Sequence, residues 1–367
     1  MKLYDIDTPA MIIDYNIMMD NIKTMQDKAN KARVNLRPHT KTHRTPALAK
    51  LQLEAGARGI TVAKLGEAEV MAHSCIDDIF IANNIVGEQK LQRLKLLRRR
   101  ALVSVAVDCN YHVDELEKTF HGENNPIDVL IELEVGENRA GVVGYEDLVN
   151  LAKHIDGCFN VRLKGIFAHE GQTYNCLSVE QCIDESIRCQ EYVIKGAEAI
   201  RRAGIDIDVV SIGATPSMLT SDILYGITEI RPGTYIFMDV CQGSVINDYS
   251  KCAASVLSTV TSKPTEERVI IDAGVKALTC YTNPEGICKA KGYGKVIGFE
   301  DRIVDNLYDE HGIINSKVAT EKLQIGDKIR IIPNHICPTC NLYSNLYIVK
   351  EGEVIDNLPV LCQGKSK

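Results

Sequence analysis

RVNLRPHTKTHRTPALAKLQLEAGARGITVAK, residues 33–64, contains two short apolar runs separated by a helical pattern. The runs 33–39 and 59–64 have the length and apolar character of buried strands. Between them, residues 45–56 read as a helix that ends on Gly56, as helix C-termini prefer. Because a helical crossover joins parallel strands, the stretch predicts the beginning of an α/β fold.

The same alternation continues along the chain. Helical patterns separate six further apolar runs, at 78–83, 102–108, 128–136, 163–171, 208–216 and 229–233. Eight strands that alternate with helices or turns predict a (β/α)8 barrel of the TIM type, for which roughly 250 residues is the usual size. A doubly wound open sheet would use fewer strands and would usually carry a glycine-rich first turn, which is missing here. We therefore predict an α/β barrel over residues 15–240.

The pattern changes after about residue 240. Short segments then alternate apolar and polar residues between glycine, proline and charged turns, at 255–263, 267–274, 327–338 and 346–357. Such alternation is typical of antiparallel strands. We predict an antiparallel β domain over residues 241–367 and expect the strand within residues 1–14 to join it.

The composition narrows the class of partner. The 367 residues include 42 Lys and Arg against 49 Asp and Glu, which gives a net charge of -7. This balance argues against a nucleic-acid or membrane partner, either of which would need a basic face. No stretch approaches the roughly 18 apolar residues of a membrane span. The 13 cysteines lack the spacing of a disulfide scaffold and are interpreted as reduced thiols, which predicts a cytoplasmic protein.

Polar residues cluster just after the predicted barrel strands. They are His39, Lys41, Lys64, Asn83, Asp108, Arg139, His169, Thr215 and Gly233. Because barrels of this type carry their chemistry at the C-terminal ends of the strands, these positions predict the site.

Lys41 is the first candidate for catalysis. Its sequence neighbours Arg37, His39, His43 and Arg44 are cations or potential cations. A lysine among positive charges loses its proton more easily and becomes a nucleophilic amine, so a Schiff-base role is one hypothesis. A solvated strand-end lysine is the alternative, and the spacing leaves both open.

Two loops of small residues follow neighbouring predicted strands, SIGATPS (211–217) and EIRPGTY (229–235). Backbone N–H groups in such turns bind phosphate, and Gly233 and Thr234 offer two further donors beside the first loop. The pair of loops predicts a site for a phosphorylated ligand.

PNHICPTCNLY (333–343) suits a metal. His335 and Cys337 are two residues apart and would project to one face of an extended strand. An imidazole and a thiolate favour a divalent metal, zinc above all, in an open site that water or substrate completes. The alternatives are a buried strand pair, or a zinc knuckle or redox pair that uses Cys340; no second CxxC accompanies it.

Five segments of the sequence together resemble a known enzyme family. Residues 37–72, GATPS (213–217), RPGTY (231–235), YDEHGII (308–314) and IPNHICPTCNLY (332–343) resemble the fold type III pyridoxal-phosphate enzymes, in the branch of D-serine dehydratase and D-threonine aldolase. The resemblance covers nearly the whole chain. It implies an alanine racemase-like barrel followed by a β domain, in a homodimer whose subunits pair head to tail.

The resemblance also implies roles for individual residues. Lys41 would bind pyridoxal 5'-phosphate as a Schiff base, and Thr215, Gly233 and Thr234 would bind its phosphate. Arg139 would contact a cofactor oxygen, and Tyr174 would make a further cofactor contact. His335 and Cys337 would be the ligands of the catalytic metal. The metal would be zinc, with manganese as the alternative. Phe167 stands where similar D-serine dehydratases carry a tyrosine, which leaves its effect on the cofactor open.

The implied activity is that of a lyase acting on small β-hydroxy D-amino acids. The His-X-Cys pair resembles the dehydratase pattern and favours release of a keto acid and ammonia. D-threonine aldolase-type cleavage to glycine and an aldehyde is the alternative, and an amino-acid racemase is a more distant one. A non-enzymatic cofactor carrier would resemble a single barrel, and the predicted β domain counts against it.

Overall fold

The computed structural model describes residues 1–299 and 302–367, which form two β-sheets. The chain begins with strand β1 (Ala10–Asp14) and helix α1 (Tyr15–Ala32). Eight parallel strands follow: β2 (Asn35–Leu36), β3 (Ile60–Val62), β4 (Asp78–Asn84), β5 (Leu102–Val107), β6 (Ile127–Glu132), β7 (Val161–Phe167), β8 (Val209–Ile212) and β9 (Glu229–Ile230). The helices after these strands are α2 (Pro46–Glu54), α3 (Leu65–His73), α4 (Glu88–Leu97), α5 (Asn110–Phe120), α6 (Tyr145–Asp156), α7 (Val179–Arg202), α8 (Thr215–Thr220) and α9 (Val240–Ile246).

The parallel sheet closes into a barrel. Its strands pair in the order β2-β9-β8-β7-β6-β5-β4-β3. The two ends meet just after β2, where the N–H of Thr61 donates to the carbonyl of Pro38 and the N–H of Thr40 donates to the carbonyl of Thr61, each at 2.9 Å. We call this junction the seam. The predicted α/β barrel is confirmed, and Lys41 follows the seam directly.

Arg37 fixes the strands at the seam. Its Nε donates to Glu229 Oε2 on β9 at 2.7 Å, and its Nη1 donates to Asp78 Oδ1 on β4 at 2.6 Å. The side chain is only 10% exposed, so both ion pairs are largely shielded from water. Because removing one partner leaves a buried charge uncompensated, these pairs oppose any other alignment of the three strands.

Alternation along the barrel strands separates two apolar clusters. Residues such as Ile79, Val105 and Ile131 belong to the main core, which also contains the buried faces of the helices. The neighbouring positions contribute to a smaller cluster of Phe80, Ala106, Leu130 and Phe167. This smaller cluster includes Phe167, which also lines a cavity at the C-terminal ends of the strands.

The second sheet is mostly antiparallel. Its remaining strands are β10 (Ala254–Thr265), β11 (Arg268–Ile271), β12 (Lys295–Val296), β13 (Asn306–Leu307), β14 (Gly312–Asn315), β15 (Lys328–Ile332), β16 (Asn345–Lys350) and β17 (Glu353–Pro359). The helices in this part of the chain are α10 (Val275–Leu278), α11 (Lys317–Lys322) and α12 (Ile336–Cys340). Strand β1 lies in this sheet, antiparallel to β10 and parallel to β16. The predicted antiparallel β architecture after the barrel is confirmed.

The longest helix of the described residues, α7, has 24 residues. No helix within residues 1–299 and 302–367 combines the length and the apolar character that crossing a membrane requires.

Candidate active site

A cavity of about 320 Å³ opens at the C-terminal ends of the barrel strands. Six residues predicted from the sequence line it: Lys41, Arg139, Tyr174, Thr215, Gly233 and Thr234. His39, Asn83 and His169 from the predicted strand-end cluster line it as well. Lys64 and Asp108, which the same reasoning grouped with them, are not among its lining residues. For these two the expectation was wrong, because a position after a strand does not determine where a side chain points.

The four residues that the sequence predicts as cations around Lys41 are ion-paired or uncharged in the structure. Arg37 is paired with two carboxylates at the seam, and Arg44 forms an ion pair with Glu67 at 3.0 Å. Burial lowers the pKa of His43 to about 4 and places the pKa of His39 well below its usual range. Both imidazoles are therefore neutral near pH 7. The sequence argument for a lysine activated by these four neighbours was wrong, because carboxylates compensate the charges of the two arginines and burial keeps the two histidines neutral.

The cations that face the cavity come from distant strands. Arg139 lies after β6, and its guanidinium is half exposed and paired with Glu132 at 3.3 Å and Glu137 at 3.5 Å. Arg231 lies after β9 and is fully buried, which lowers the pKa of its guanidinium to about 10. It remains protonated at neutral pH. The positive charge of the cavity therefore depends on tertiary structure.

Arg231 was not predicted as a site residue, although it belongs to the RPGTY motif. The Arg231 guanidinium donates to the carbonyl of Ala168 at 2.6 Å and to Ser211 Oγ. It also lies 5.0 Å from the centre of the Phe167 ring, which packs edge-on against Phe80. Phe167 thus provides an aromatic surface for a buried cation, and this contact needs no hydroxyl group.

The two small-residue loops form one cradle. A Cβ at Gly233 would lie 2.9 Å from the carbonyl oxygen of His39 and 3.1 Å from Thr42 Oγ1, so a side chain would fill this space. The N–H of Thr234 donates to Thr215 Oγ1 at 3.1 Å and ties the loops together. Within the described parts of the chain, the N–H groups of Thr215 and Gly233 have no acceptor. Free N–H groups in a tight turn suit an anion such as phosphate.

A buried carboxyl group, Glu170, lies behind the cradle and was also missed. Its Oε1 accepts from the N–H of Ala214 at 3.2 Å and from Ser217 Oγ, whereas Oε2 has no partner among the described residues. Burial raises the pKa of this carboxyl to about 7. No local sequence signal marks this role, because it depends on a contact with a loop more than 40 residues away.

His335 and Cys337 lie at the first turn of α12. The prediction that both belong to an extended strand was wrong: β15 ends at Ile332, directly before Pro333, and His335 is the N-cap residue of the helix. The proline, which has no N–H for a ladder, explains the early end of the strand. The two side chains nevertheless interact electrostatically, and this interaction raises the pKa of His335.

The His335–Cys337 pair adjoins the cavity through two threonines. Cys337 Sγ lies 3.2 Å from Thr42 Oγ1, next to Lys41, and 3.7 Å from Thr234 Oγ1 in the cradle. Tyr174 lines the same cavity as Thr234 and Lys41. Cys337 therefore contacts both the cradle and the residue that follows Lys41 in the chain.

The chemistry of the pair suits a metal ion. Burial raises the pKa of Cys337, but the charge and hydrogen bond of His335 outweigh this effect and lower it to about 7. Asp239 accepts a hydrogen bond from the N–H of Ile336 at 3.0 Å and also interacts electrostatically with the imidazole. Among the described residues, no group of three metal-binding side chains includes this pair. A thiolate and an imidazole with open positions fit a Lewis-acid metal such as zinc.

Glu170 generates a prediction about stability and pH. A carboxyl with a pKa of about 7 in the folded protein stays protonated when the unfolded chain, with an ordinary value of 4.5, has already ionised. The folded state therefore loses stability as pH rises. Glu170→Gln removes this titration, so its free energy of unfolding relative to wild type should increase by about 2–3 kcal/mol between pH 5 and pH 8.

Urea denaturation of both proteins at the two pH values measures the difference. Glu54→Gln, at an exposed position, is the control and should show no comparable change. A Glu170→Gln difference that does not vary with pH would contradict the burial of an ionisable carboxyl at this position.

Comparisons with known proteins identify the family of this chain. Residues 13–240 match the family model "Alanine racemase, N-terminal domain", and residues 253–349 match "Putative serine dehydratase domain". The chain is 32% identical to a D-threonine aldolase from Arthrobacter sp over 99% of this chain and 94% of that protein. It is 28% identical to a D-serine dehydratase from Dictyostelium discoideum over 96% of each.

A solved structure extends the similarity to the whole fold. The D-threo-3-hydroxyaspartate dehydratase from Delftia sp. HT23 superposes with a TM-score of 0.90 at 30% identity and covers 98% of both chains. The shared barrel, the shared β domain and the end-to-end sequence similarity lead to one conclusion. The chain belongs to the fold type III family of pyridoxal-phosphate enzymes, in the branch of the D-threonine aldolases and D-serine dehydratases.

Proposed function

We propose that this chain is a pyridoxal-phosphate- and metal-dependent lyase for small β-hydroxy D-amino acids, of the D-serine dehydratase type. The observation that carries the proposal is the contact between the two halves of the site. Lys41 and the cradle line one cavity, and the His335–Cys337 pair adjoins it, because Thr42 and Thr234 both touch the Cys337 sulfur.

The cavity residues fit pyridoxal phosphate. Lys41 would hold the cofactor covalently through Nζ, and the free N–H groups of the Thr215 and Gly233 loops would bind its phosphate. Thr234 would complete the phosphate site. Arg139 would approach a cofactor oxygen and Tyr174 would form a wall of the site, since both line the cavity. When bound, the cofactor supplies an electron sink for negative charge at the substrate Cα.

The His335–Cys337 pair would hold the metal. When bound, the metal supplies a Lewis acid for the substrate β-hydroxyl. Zinc suits the thiolate–imidazole set best, with manganese as the alternative. The Delftia dehydratase supports this assignment, since it has been solved as a metal-free Cys→Ala variant and as a His→Ala variant at a position two residues earlier. His335 and Cys337 have the same order and spacing.

The protein residues would then act on protons and orientation. Lys41 Nζ, once released from the cofactor by the substrate amine, would take the Cα proton. His335 and Cys337 would fix the side of the substrate that carries the β-hydroxyl. Loss of that hydroxyl gives, after hydrolysis, a keto acid and ammonia.

Aldol cleavage is the alternative, and the Arthrobacter relative favours it. The same residues would orient the β-hydroxyl, but a base would remove its proton and the Cα–Cβ bond would break. We favour the dehydratase because the histidine–cysteine spacing matches the Delftia dehydratase. A racemase would need a second base on the opposite face and would not need the metal.

We also propose a head-to-tail homodimer. The loops around the barrel mouth expose apolar side chains, including Val143 after β6 and Leu177 after β7, each 72% exposed. A second subunit that covers the mouth would remove these side chains from water. Sedimentation of a monomer at micromolar concentration would contradict this proposal.

The division of the chain and its location in the cell complete the proposal. We propose the barrel over residues 15–240 and the β domain over residues 241–367, with the strand of residues 1–14 joined to it. We propose a cytoplasmic enzyme, because all 13 cysteines are free thiols. Cell fractionation would test the location.

Lys41→Ala tests the cofactor role. The variant should lose the covalent link, and turnover should fall by about 10²–10⁴-fold or more because the base is removed as well. Borohydride reduction followed by peptide mass spectrometry should place the pyridoxyl group on the Lys41 peptide of wild type and on no peptide of the variant. Lys64→Ala, whose side chain does not line the cavity, is the matched control. A pyridoxyl group on another lysine of the wild type would refute the assignment.

His335→Ala tests the metal role. Elemental analysis should show less bound metal, and turnover of D-serine and D-threonine should fall roughly 100-fold or more because the Lewis acid is lost. The visible absorbance of bound cofactor should persist. Cys340→Ala, three residues beyond Cys337 in the same helix, should keep its metal and thereby test the alternative CxxC interpretation. Full activity and full metal content in His335→Ala would disprove this role.

A further inference from the structure

A second cluster of metal-binding side chains lies outside the proposed catalytic site, in DCNYH (108–112). The His112 Nδ1 atom lies 3.0 Å from Asp108 Oδ1 and 3.4 Å from Cys109 Sγ. One ligand atom from each of the three residues lies within 4.8 Å of the others. Within residues 1–299 and 302–367 this is the one group of three such side chains with that geometry.

The local fold explains why the three side chains converge. Asp108 directly follows β5, Cys109 is the N-cap residue of α5, and His112 is in the first turn of that helix. N-cap and N3 side chains meet at the start of a helix. The arrangement therefore follows from a strand that leads into an 11-residue helix without an intervening loop.

The distances suit a small tetrahedral ion. Zinc bonds of about 2.0–2.1 Å to nitrogen and oxygen and about 2.3 Å to sulfur give ligand-to-ligand separations of roughly 3.3–3.6 Å. The observed separations of 3.0 and 3.4 Å from His112 Nδ1 are close to these values, and the remaining pair of ligand atoms, from Asp108 and Cys109, lies within 4.8 Å. Cys109 is exposed, which gives the ion a path from solvent.

Asn84 supplies an outer contact to the cluster. Its side-chain Nδ2 donates to Asp108 Oδ2 at 2.9 Å, so it orients the carboxylate whose other oxygen faces His112. Hydrogen bonds of this kind fix metal ligands in place. Asn84 also lines the cavity, and its Oδ1 is buried without a partner among the described residues. The cluster therefore adjoins the proposed active site through a single side chain.

We propose that Asp108, Cys109 and His112 bind a thiophilic divalent cation of the zinc class, as a second metal site at the barrel mouth. The three side chains supply one carboxylate, one thiolate and one imidazole, and water completes the tetrahedron. Harder cations such as Mg²⁺ and Ca²⁺ are disfavoured by the sulfur ligand. The site does not depend on metal binding by His335 and Cys337.

The test isolates this site in the full-length holoenzyme carrying His335→Ala and Cys337→Ser. After loading with Zn²⁺ and gel filtration, elemental analysis should find one zinc per chain, and Co²⁺ in its place should give a thiolate-to-cobalt charge-transfer band. Adding Cys109→Ser should abolish the band, and adding His112→Ala should release the metal. Adding His154→Ala is the control and should change neither the cobalt band nor the bound metal. His154 also lies 2.7 Å from a carboxylate, but this pair includes no thiol.

Absence of bound zinc in the His335→Ala/Cys337→Ser protein would overturn the proposal, as would zinc and cobalt signals that survive Cys109→Ser. If that double variant does not fold, the comparison of wild type with His112→Ala decides: a loss of one zinc per chain supports the site, and an unchanged count refutes it. If His335 and Cys337 do not bind a metal, the result is different: the double variant would then hold as much zinc as wild type.

Discussion

The pairing of Arg37 with Glu229 and Asp78 is the interaction on which the site depends. The guanidinium follows β2 and bridges β9 and β4, strands that lie on opposite sides of the seam and far apart in sequence. Breaking a buried pair of this kind costs about 3–5 kcal/mol, a large share of the stability of a domain. The barrel closes four residues or fewer from Lys41, so an error at the seam would displace the lysine directly.

The same polar network extends from the seam toward the cavity. Glu229 accepts from Ser211 Oγ at 2.7 Å with its second oxygen, and Ser211 in turn accepts from Arg231. The Arg231 guanidinium then lies beside the Phe167 ring in the cavity wall. Charges that align the strands thus also fix a cation at the site.

The other half of the site comes from the part of the chain that carries the second sheet. Helix α12 carries His335 and Cys337, and the Cys337 sulfur reaches Thr42 beside Lys41. Neither the barrel nor the β strands alone contain both the amine and the metal-binding pair. The chemistry that we propose is therefore possible only where the two parts of the chain meet.

The sequence predicts those parts of the site that reside in short motifs. The candidate residues Lys41, Thr215, Gly233, His335 and Cys337 could be proposed from the sequence because each combines a chemical group with a recognisable local pattern. The fold class followed from the strand–helix alternation for the same reason.

The remaining features depend on contacts between distant residues. The paired arginines near Lys41, the buried Arg231 and the raised pKa of Glu170 result from ion pairing and burial that a linear pattern does not contain. Helix α12 also escaped prediction, because the apolar alternation before it resembles a strand that would continue through Pro333. Tertiary structure therefore determines the electrostatics of the site, even where the sequence predicts its chemical groups.

Product analysis of the purified, metal-loaded holoenzyme with D-threonine tests the proposed activity most directly. Our account predicts 2-oxobutyrate and ammonia in equal amounts, at the expense of the substrate. Glycine and acetaldehyde would contradict the dehydratase assignment and would establish the aldolase within the same family. Formation of L-configured amino acid without either pair of products would contradict the lyase itself.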